Sequence, residues 1–495
     1  MKRRSNVFSF LVLIILLFIG GAVLYIKSQK FALDVKEVLC RKLSNYTTYP
    51  VEIKKIRTDI FNQFIISKVK VKNPVTSQEL LTVEKMTVKY SLLKFFVESR
   101  DISSLVREIN IYHPQVTVHY TTSSVNVKGI KGTISGSSDD SFSSVLPPWK
   151  FNVFDGEINV QNRSRTINRI KDLNGSFSLG GYPEIYVDSS FELEGISENI
   201  GVKGNVHTIN KELLMKVEGK GINLNKIGEI SFGEKKYEFE SGLCNVDLKI
   251  DGNMYDIFKQ PEELNVNGDI KILKASSGSF GIPVARLNLS SQRVRIESGV
   301  VRWGRNIINV TGMVRDYIKT PYLDINGEGS ISSEEIFKNT DIKDIRGIFD
   351  VKGSVKGPIG NVTAQADLYM KSGEVFNIKA DELKTNVKYK NKNIKFGAGS
   401  VELADGKLMW EGDWMPKGAI NVSMSADGIS LSKISGQEKI EGNLDGNLGV
   451  KGETESPYVT ADITAEDVVI AGRRFEHINI KGNFENDRAS IDGFT

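Results

Sequence analysis

Catalytic signatures are what this 495-residue sequence most plainly lacks. No C-x-x-C, G-x-S-x-G or G-x-x-x-x-G-K-S/T motif occurs, which removes the redox pair, the hydrolase elbow and the phosphate-binding loop. Histidine is scarce: His113, His119, His207 and His477 are the full set. His113 and His119 share a strand parity, but Pro114 interrupts the ladder and no cysteine or acidic cluster accompanies them, so a zinc set is not assembled. Asp139 and Asp140 lie in a Ser-rich stretch and read as a solvated loop. No enzyme is expected, and no cofactor. Cysteine is limited to Cys40 and Cys244, which form either one long-range bridge or two unpaired thiols and leave the compartment open. Charge of one sign is also lacking: Lys+Arg 65 against Asp+Glu 61 leaves +4, too balanced to argue for nucleic acid. Trp149, Trp303, Trp410 and Trp414 show no interleaved basic cluster and read as packing or rim residues. Hydrophobic residues make up 40% and charged residues 25%, which excludes general disorder.

One long hydrophobic run is present, at the N-terminus. After MKRR, residues 7–26 (VFSFLVLIILLFIGGAVLYI) carry no charge and have about the length that a helix needs to cross a bilayer. A cleaved signal peptide, with Gly20 and Ala22 at its end, is the alternative; its apolar core usually stops at about 15 residues, and this one continues through Tyr25 and Ile26. The expectation is a cytoplasmic tail at 1–6 and a transmembrane anchor at 7–26, with Val7, Leu11, Ile15, Phe18, Leu24 and Ile26 facing lipid. No second such run follows, so residues 27–495 are expected on one side of the membrane.

Residues 27–120 read as an α+β cap. In FALDVKEVLCRKLS (31–44), Phe31, Val35, Val38, Leu39 and Leu43 form a helical stripe suited to packing on a sheet. SLLKFFVESRDISSLVREI (91–109) is a second plausible helix between strand patterns. Residues 121–148, rich in Ser, Thr, Gly and Asp, read as a loop or linker. From 149 to 495 strand follows strand with a period of two and no helix of three turns, as in VTAQADLYM (362–370). Glycine, 45 residues in all, marks a weak repeat: Gly242, Gly347 and Gly442 are followed ten positions later by Gly252, Gly357 and Gly452. The last two units align at an offset of 95, with Ala366-Asp367-Leu368 on Ala461-Asp462-Ile463 and Leu383 on Ile478. Trp303 and Trp410 fall at comparable places in the first two. Such an array grows by stacking.

What the apolar parity covers is the functional question. The expected lining consists of Val246, Leu248 and Ile250, then Val266 and Ile270, then Leu287 and Leu289. It continues through Val362, Ala364, Ala366, Leu368 and Met370, then Val422 and Met424, and ends at Val459, Ala461 and Ile463. A β-sandwich of roughly 100-residue units would bury this face against a second sheet. Against it, inner positions such as Gly353, Ala364 and Ala366 are small for a core about 10 Å thick, and turn signals do not mark sheet switching. A long antiparallel sheet curled into a groove and filled by acyl chains is the reading preferred; each buried CH₂ is worth about 0.8 kcal/mol.

The segments "YPVEIKKIRTDIFNQFIISKVKVKNP", "LLTVEKMTVKYSLLKFF" and "INIYHPQVTVHY", behind the N-terminal apolar run, resemble the start of the TamB/AsmA-like proteins of the diderm bacterial envelope. "DVKGSVKGPIGNVTAQADL" and "GVKGETESPYVTADI" resemble that family's repeated Gly-ended strands. The resemblance implies an inner-membrane anchor and a taco-shaped periplasmic β-groove. It also implies transport of phospholipid toward the outer membrane, or assembly of outer-membrane proteins and secretion beside a barrel partner. The sequence stops at ASIDGFT in mid-pattern, shorter than TamB, and is read as a fragment or a shorter relative. The alternative of a different class is a structural or adhesive β-repeat that binds protein or glycan partners through its polar face.

Overall fold

The computed structural model describes residues 28–494 apart from 48, 60–61, 75–76, 92–105, 122–123, 126–148, 163–164, 182, 228–229, 233–234, 254–262, 318–319, 337–343, 392, 416–417, 436–439, 471 and 486–487. The expected anchor at 7–26 and most of the loop at 121–148 lie outside the described residues. Among the described residues no helix is long and apolar enough to cross a membrane. The protein is mainly β, with two compact units: residues 1–226 with 244–268, and 227–243 with 269–495.

The first unit opens with α1 (Gln29–Thr47), followed by β1 (Val51–Asp59), β2 (Gln63–Lys72), β3 (Glu79–Tyr90), β4 (Val106–Thr121) and β5 (Ser124–Val125). Then come β6 (Lys150–Asn162), β7 (Arg165–Gly181), β8 (Glu184–Leu193), β9 (Ser197–His207) and β10 (Glu212–Asn223). Of the second helix expected at 91–109, residues 106–109 belong to β4 and are extended; nearly all the rest is outside the described residues. A β-branched, alternating run (VREINIYH) pairs with β3 in preference to helix. Apart from the short β5, strands pair in chain order and antiparallel, with one exception. β4 and β6 run parallel, which needs a long crossover, and the segment 122–149 has that length. Their register is pinned by side chains: Asn152 Nδ2 donates to Asn110 Oδ1 (2.7 Å) and Asn110 Nδ2 to Thr87 Oγ1 (3.3 Å).

Lys68, His113, Asp155 and Asp172 have φ of 54°, 49°, 50° and 49° and fall on one line across β2, β4, β6 and β7. The ladders skip a pair along this line without changing register in β2–β3 and β3–β4, and β6–β7 carries bulges on either side of Gly156. Pro114, which has no N–H, sits inside β4 beside this interruption of the ladder. The core of this unit is Val51, Ile53, Ile56, Ile66, Val69, Val71 and Val83, with Val35, Leu39 and Cys40 of α1 packed on it. Val38, expected on that stripe, is 44% exposed, because the buried side of α1 runs through Leu39 and Cys40 and turns Val38 outward.

Both cysteines are free. Burial pushes the Cys244 thiol up to about 11, so at pH 8 roughly one part in a thousand is thiolate. A maleimide at pH 8 is therefore expected to label Cys40 and to spare Cys244 until denaturant is added, as read by intact mass; equal labelling in the native chain would contradict the burial.

After β10 the chain forms β11 (Ile230–Phe232) and β12 (Lys235–Tyr237), a small separate hairpin, and then β13 (Ser241–Asn253) and β14 (Asn265–Ser277). The second unit continues with β15 (Phe280–Ser290), β16 (Arg293–Trp303), β17 (Asn306–Arg315), β18 (Tyr322–Ser332), α2 (Ser333–Ile336) and β19 (Ile345–Pro358). Next are β20 (Thr363–Met370), β21 (Gly373–Val375), β22 (Ile378–Lys390), β23 (Asn393–Leu403), β24 (Gly406–Trp414) and β25 (Ala419–Ser430). It ends with α3 (Leu431–Ser435), β26 (Ile440–Glu453), β27 (Ser456–Ile470), β28 (Arg473–Glu485) and β29 (Arg488–Phe494). From β15 to β29 every described pairing is antiparallel and between consecutive strands, except that β20 and β21 share β19 and β22 as neighbours. From β15 to β29 no described strand leaves the sheet to build a second layer.

The repeat is structural. Gly353 pairs with Ala366 and Ala366 with Val387; 95 positions on, Leu448 pairs with Ala461 and Ala461 with Gly482. The same offset carries Met370↔Leu383 onto Ala465↔Ile478. Each repeat is entered through a short helix, α2 before β19 and α3 before β26. The tryptophans are not equivalent: Trp303 closes β16 at its turn, matching Leu403 at the end of β23, whereas Trp410 lies mid-strand opposite Gly399. Similar distance from a repeat glycine does not make the two equivalent, because the register shifts within β22–β23 and β23–β24 change which residues face each other.

Candidate functional site

The two parities of β17 to β22 form two chemically distinct surfaces. Across neighbouring strands one row runs Val310–Gly327–Gly353–Ala366–Val387, and the next runs Gly312–Ile325–Val355–Ala364–Tyr389. The row on the opposite face runs Asn309–Glu328–Lys352–Asp367–Asn386. Every side chain follows from the two-residue period and the register.

On the apolar side these rows enclose a depression of about 320 Å³ lined by Ile308, Val310, Ile325, Val351, Val355, Ala364, Val387 and Tyr389. Its floor is Gly327, Gly353 and Ala366, where missing side-chain bulk leaves room between the flanking valines and isoleucines. On Gly353 a Cβ would lie 2.6 Å from the Gln365 carbonyl oxygen, so neighbouring backbone excludes any larger residue there. The lining side chains are half-buried or exposed: no described element covers them. On the polar side a second depression, of about 390 Å³, is lined by Asn309, Asn326, Glu328, Lys352, Asp367 and Asn386. Gly327, Gly353 and Ala366 border both, so the sheet there is one backbone layer thick.

Toward the α2 end the same apolar face is closed. Met370 is 0% exposed and Val401 2%, and they pack with Phe349, Val375, Ala380, Leu383, Leu403 and Ile429. Val351 and Leu368 pack against this cluster, and Val351 also borders the depression.

Of the residues expected to line a groove, Ala364 and Ala366 border the depression. Val362 immediately precedes β20 and is half-buried. Leu368 leans on the sealed cluster and Met370 lies inside it. Met424 pairs with Trp410 and Leu448, and buried Val422 with Gly412 and Val450. Val459, Ala461 and Ile463 are half-buried opposite Val450, Leu448 and Gly446. Leu287 and Leu289 pair with Ile296 and Val294. Val246, Leu248 and Ile250 are half-buried and alternate with exposed Asp247 and Lys249, and Val266 and Ile270 are half-buried beside exposed Asn265 and Asp269. The depression also uses Ile308, Val310, Ile325, Val355, Val387 and Tyr389, which were not singled out. The alternation in IINV carried their facing, but their convergence depends on glycines in other strands.

Among the described residues no group of His, Cys, Asp and Glu could hold a metal ion, and His113 lies 3.9 Å from Glu84 as a surface pair. Compared with known proteins, the chain matches no protein-family model, no curated protein and no solved structure.

Proposed function

We propose that the chain is a membrane-anchored, non-enzymatic β-groove protein of the TamB/AsmA-like kind. It holds phospholipid acyl chains on its apolar face and carries them between the inner and outer membranes of a diderm envelope. Under this reading residues 7–26 anchor it in the inner membrane, the β body lies in the periplasm, and an outer-membrane barrel is a candidate partner. The observation that carries the proposal is the depression over Gly327, Gly353 and Ala366, an apolar surface in the run β15 to β29, whose described strands build no second layer. Exposed apolar surface of this kind is a liability unless something fills it. The left-handed residues aligned across β2, β4, β6 and β7 interrupt the ladders and support a curled sheet.

Native mass spectrometry of the full chain in mild detergent tests the proposal. Phospholipid should copurify at one or more molecules per chain, and a lipid-free chain would sink the reading. The polar depression on the opposite face favours a second reading, an adhesive β-repeat gripping protein or glycan. Photocrosslinking probes separate the two. Phospholipid should label from position 366 and not from 367.

A further inference from the structure

The polar face of β17 to β22 carries hydrogen-bonding groups that the fold itself leaves unused. Its depression of about 390 Å³ is walled by the amides of Asn309, Asn326, Gln365 and Asn386 and the carboxylates of Glu328 and Asp367, with Lys352 among them. Asn386 Nδ2 donates to Asp367 Oδ1 (2.5 Å). Asn309, Asn326, Glu328, Lys352 and Gln365 make no side-chain hydrogen bond or ion pair among the described residues. Lys352 faces Glu328 across one ladder and Asp367 across the other, yet pairs with neither. A second depression, of about 450 Å³, shares Asn309, Glu328, Lys352 and Asp367 with the first and extends it to Asp350 and Tyr369. Three rows of side chains therefore line one groove; rows lie about 7 Å apart along the strands, which gives a length of about 14 Å. The floor of the first depression is backbone at Gly327, Gly353 and Ala366, and no apolar side chain larger than alanine lines it.

A protein partner would need an apolar or aromatic centre to its contact, and the walls of the first depression offer none. A sugar needs the reverse. Its hydroxyls sit in pairs on neighbouring carbons, so one side-chain amide or carboxylate can meet two of them at once. Its C–H face suits a floor without side chains. Tyr369, at the far end, adds a π-face that attracts polarised C–H groups. Charge then selects among sugars. Glu328, Asp350 and Asp367 outnumber Lys352, so a uronate or a sulfated sugar would bring like charge into the groove. We infer that this polar groove binds a neutral oligosaccharide. The inference rests on the second reading above, narrows it to one class of ligand, and is independent of lipid on the opposite face.

The test uses the full chain in a polyoxyethylene detergent, which carries no sugar, and reads saturation-transfer difference NMR from maltotriose, cellotriose and triacetylchitotriose. At about 5 mM sugar, a site with a dissociation constant of about 1 mM is mostly filled. At least one of these neutral trisaccharides should give a signal, and trigalacturonate should bind at least about fivefold more weakly than that one. E328A/Q365A removes two wall groups, each hydrogen bond being worth about fivefold, so binding should weaken at least about tenfold while melting temperature and lipid content hold. E441A/K451A, which removes two exposed polar side chains from β26, should bind as the native chain does. No signal from any neutral trisaccharide would overturn the inference and leave the polar face to a protein partner. Unchanged binding in E328A/Q365A, an equal loss in E441A/K451A, or trigalacturonate binding as tightly would each overturn the assignment of a neutral sugar to this groove. Lipid counted by native mass spectrometry on the same samples bears on the lipid reading separately, whichever way the sugars fall.

Discussion

Lipid bound to the full chain should fall at least about tenfold in Ala366→Asp, with the melting temperature unchanged. The substitution places a carboxylate on the floor of the apolar depression, between Val310 and Val387 and beside Gly353, with no cation on that face of the row. An unpaired charge among acyl chains costs several kcal/mol, and about 1.4 kcal/mol already accounts for a tenfold loss. The protein should tolerate the change because the site is open to water when empty. Asp367→Leu, one residue on, alters the opposite face, where the carboxylate accepts a hydrogen bond from Asn386 Nδ2 (2.5 Å), and should leave lipid content as it was. Leu368→Asp should behave differently from Ala366→Asp, although both share the apolar parity. Leu368 packs against the sealed cluster, so its replacement should lower stability as well as lipid content. Unchanged lipid in Ala366→Asp, or a loss matched by a collapse in melting temperature, would remove the depression as the binding site.

Met370→Ala should produce the largest loss of stability in the second unit. Its side chain is wholly enclosed, and truncating a buried methionine costs about 2–5 kcal/mol, since the lost contacts are joined by a cavity. For a unit of this size that corresponds to a fall of order 10 °C in melting temperature, measurable by calorimetry on the full chain. The same cavity predicts a coupling. A Cβ on Gly347 would lie 2.3 Å from Met370 Sδ, so Gly347→Ala should cost less in the Met370→Ala background than in the native chain. Strict additivity would mean that the two residues do not meet as described.

The contrast between Ala366 and Met370 marks the boundary between what was legible in the sequence and what was not. The two-residue alternation of VTAQADLYM determined that Ala364, Ala366, Leu368 and Met370 share a face and that Asp367 lies on the other, because successive side chains of a strand must point to opposite sides. The 95-residue offset was equally local, a pattern of glycines and small residues repeated along the chain, and it survives as matched registers in β19–β20–β22 and β26–β27–β28. The helix at 29–47 was legible from its stripe, although the rotation that exposes Val38 depended on where β1 lies against it.

Whether a position on the apolar face is sealed or open was decided only in three dimensions. Ala366 borders a depression because its neighbours across the ladder are Gly353 and, one strand further, Gly327; Met370 is enclosed because its neighbours are Leu383 and, beyond it, Val401. Those partners lie up to 39 residues away and are chosen by register, which local periodicity does not encode. The parallel pairing of β4 with β6 has the same origin, since nothing in either strand announces a partner beyond a long crossover. The face of each side chain is thus a property of the strand that carries it, whereas its burial is a property of residues contributed by other strands.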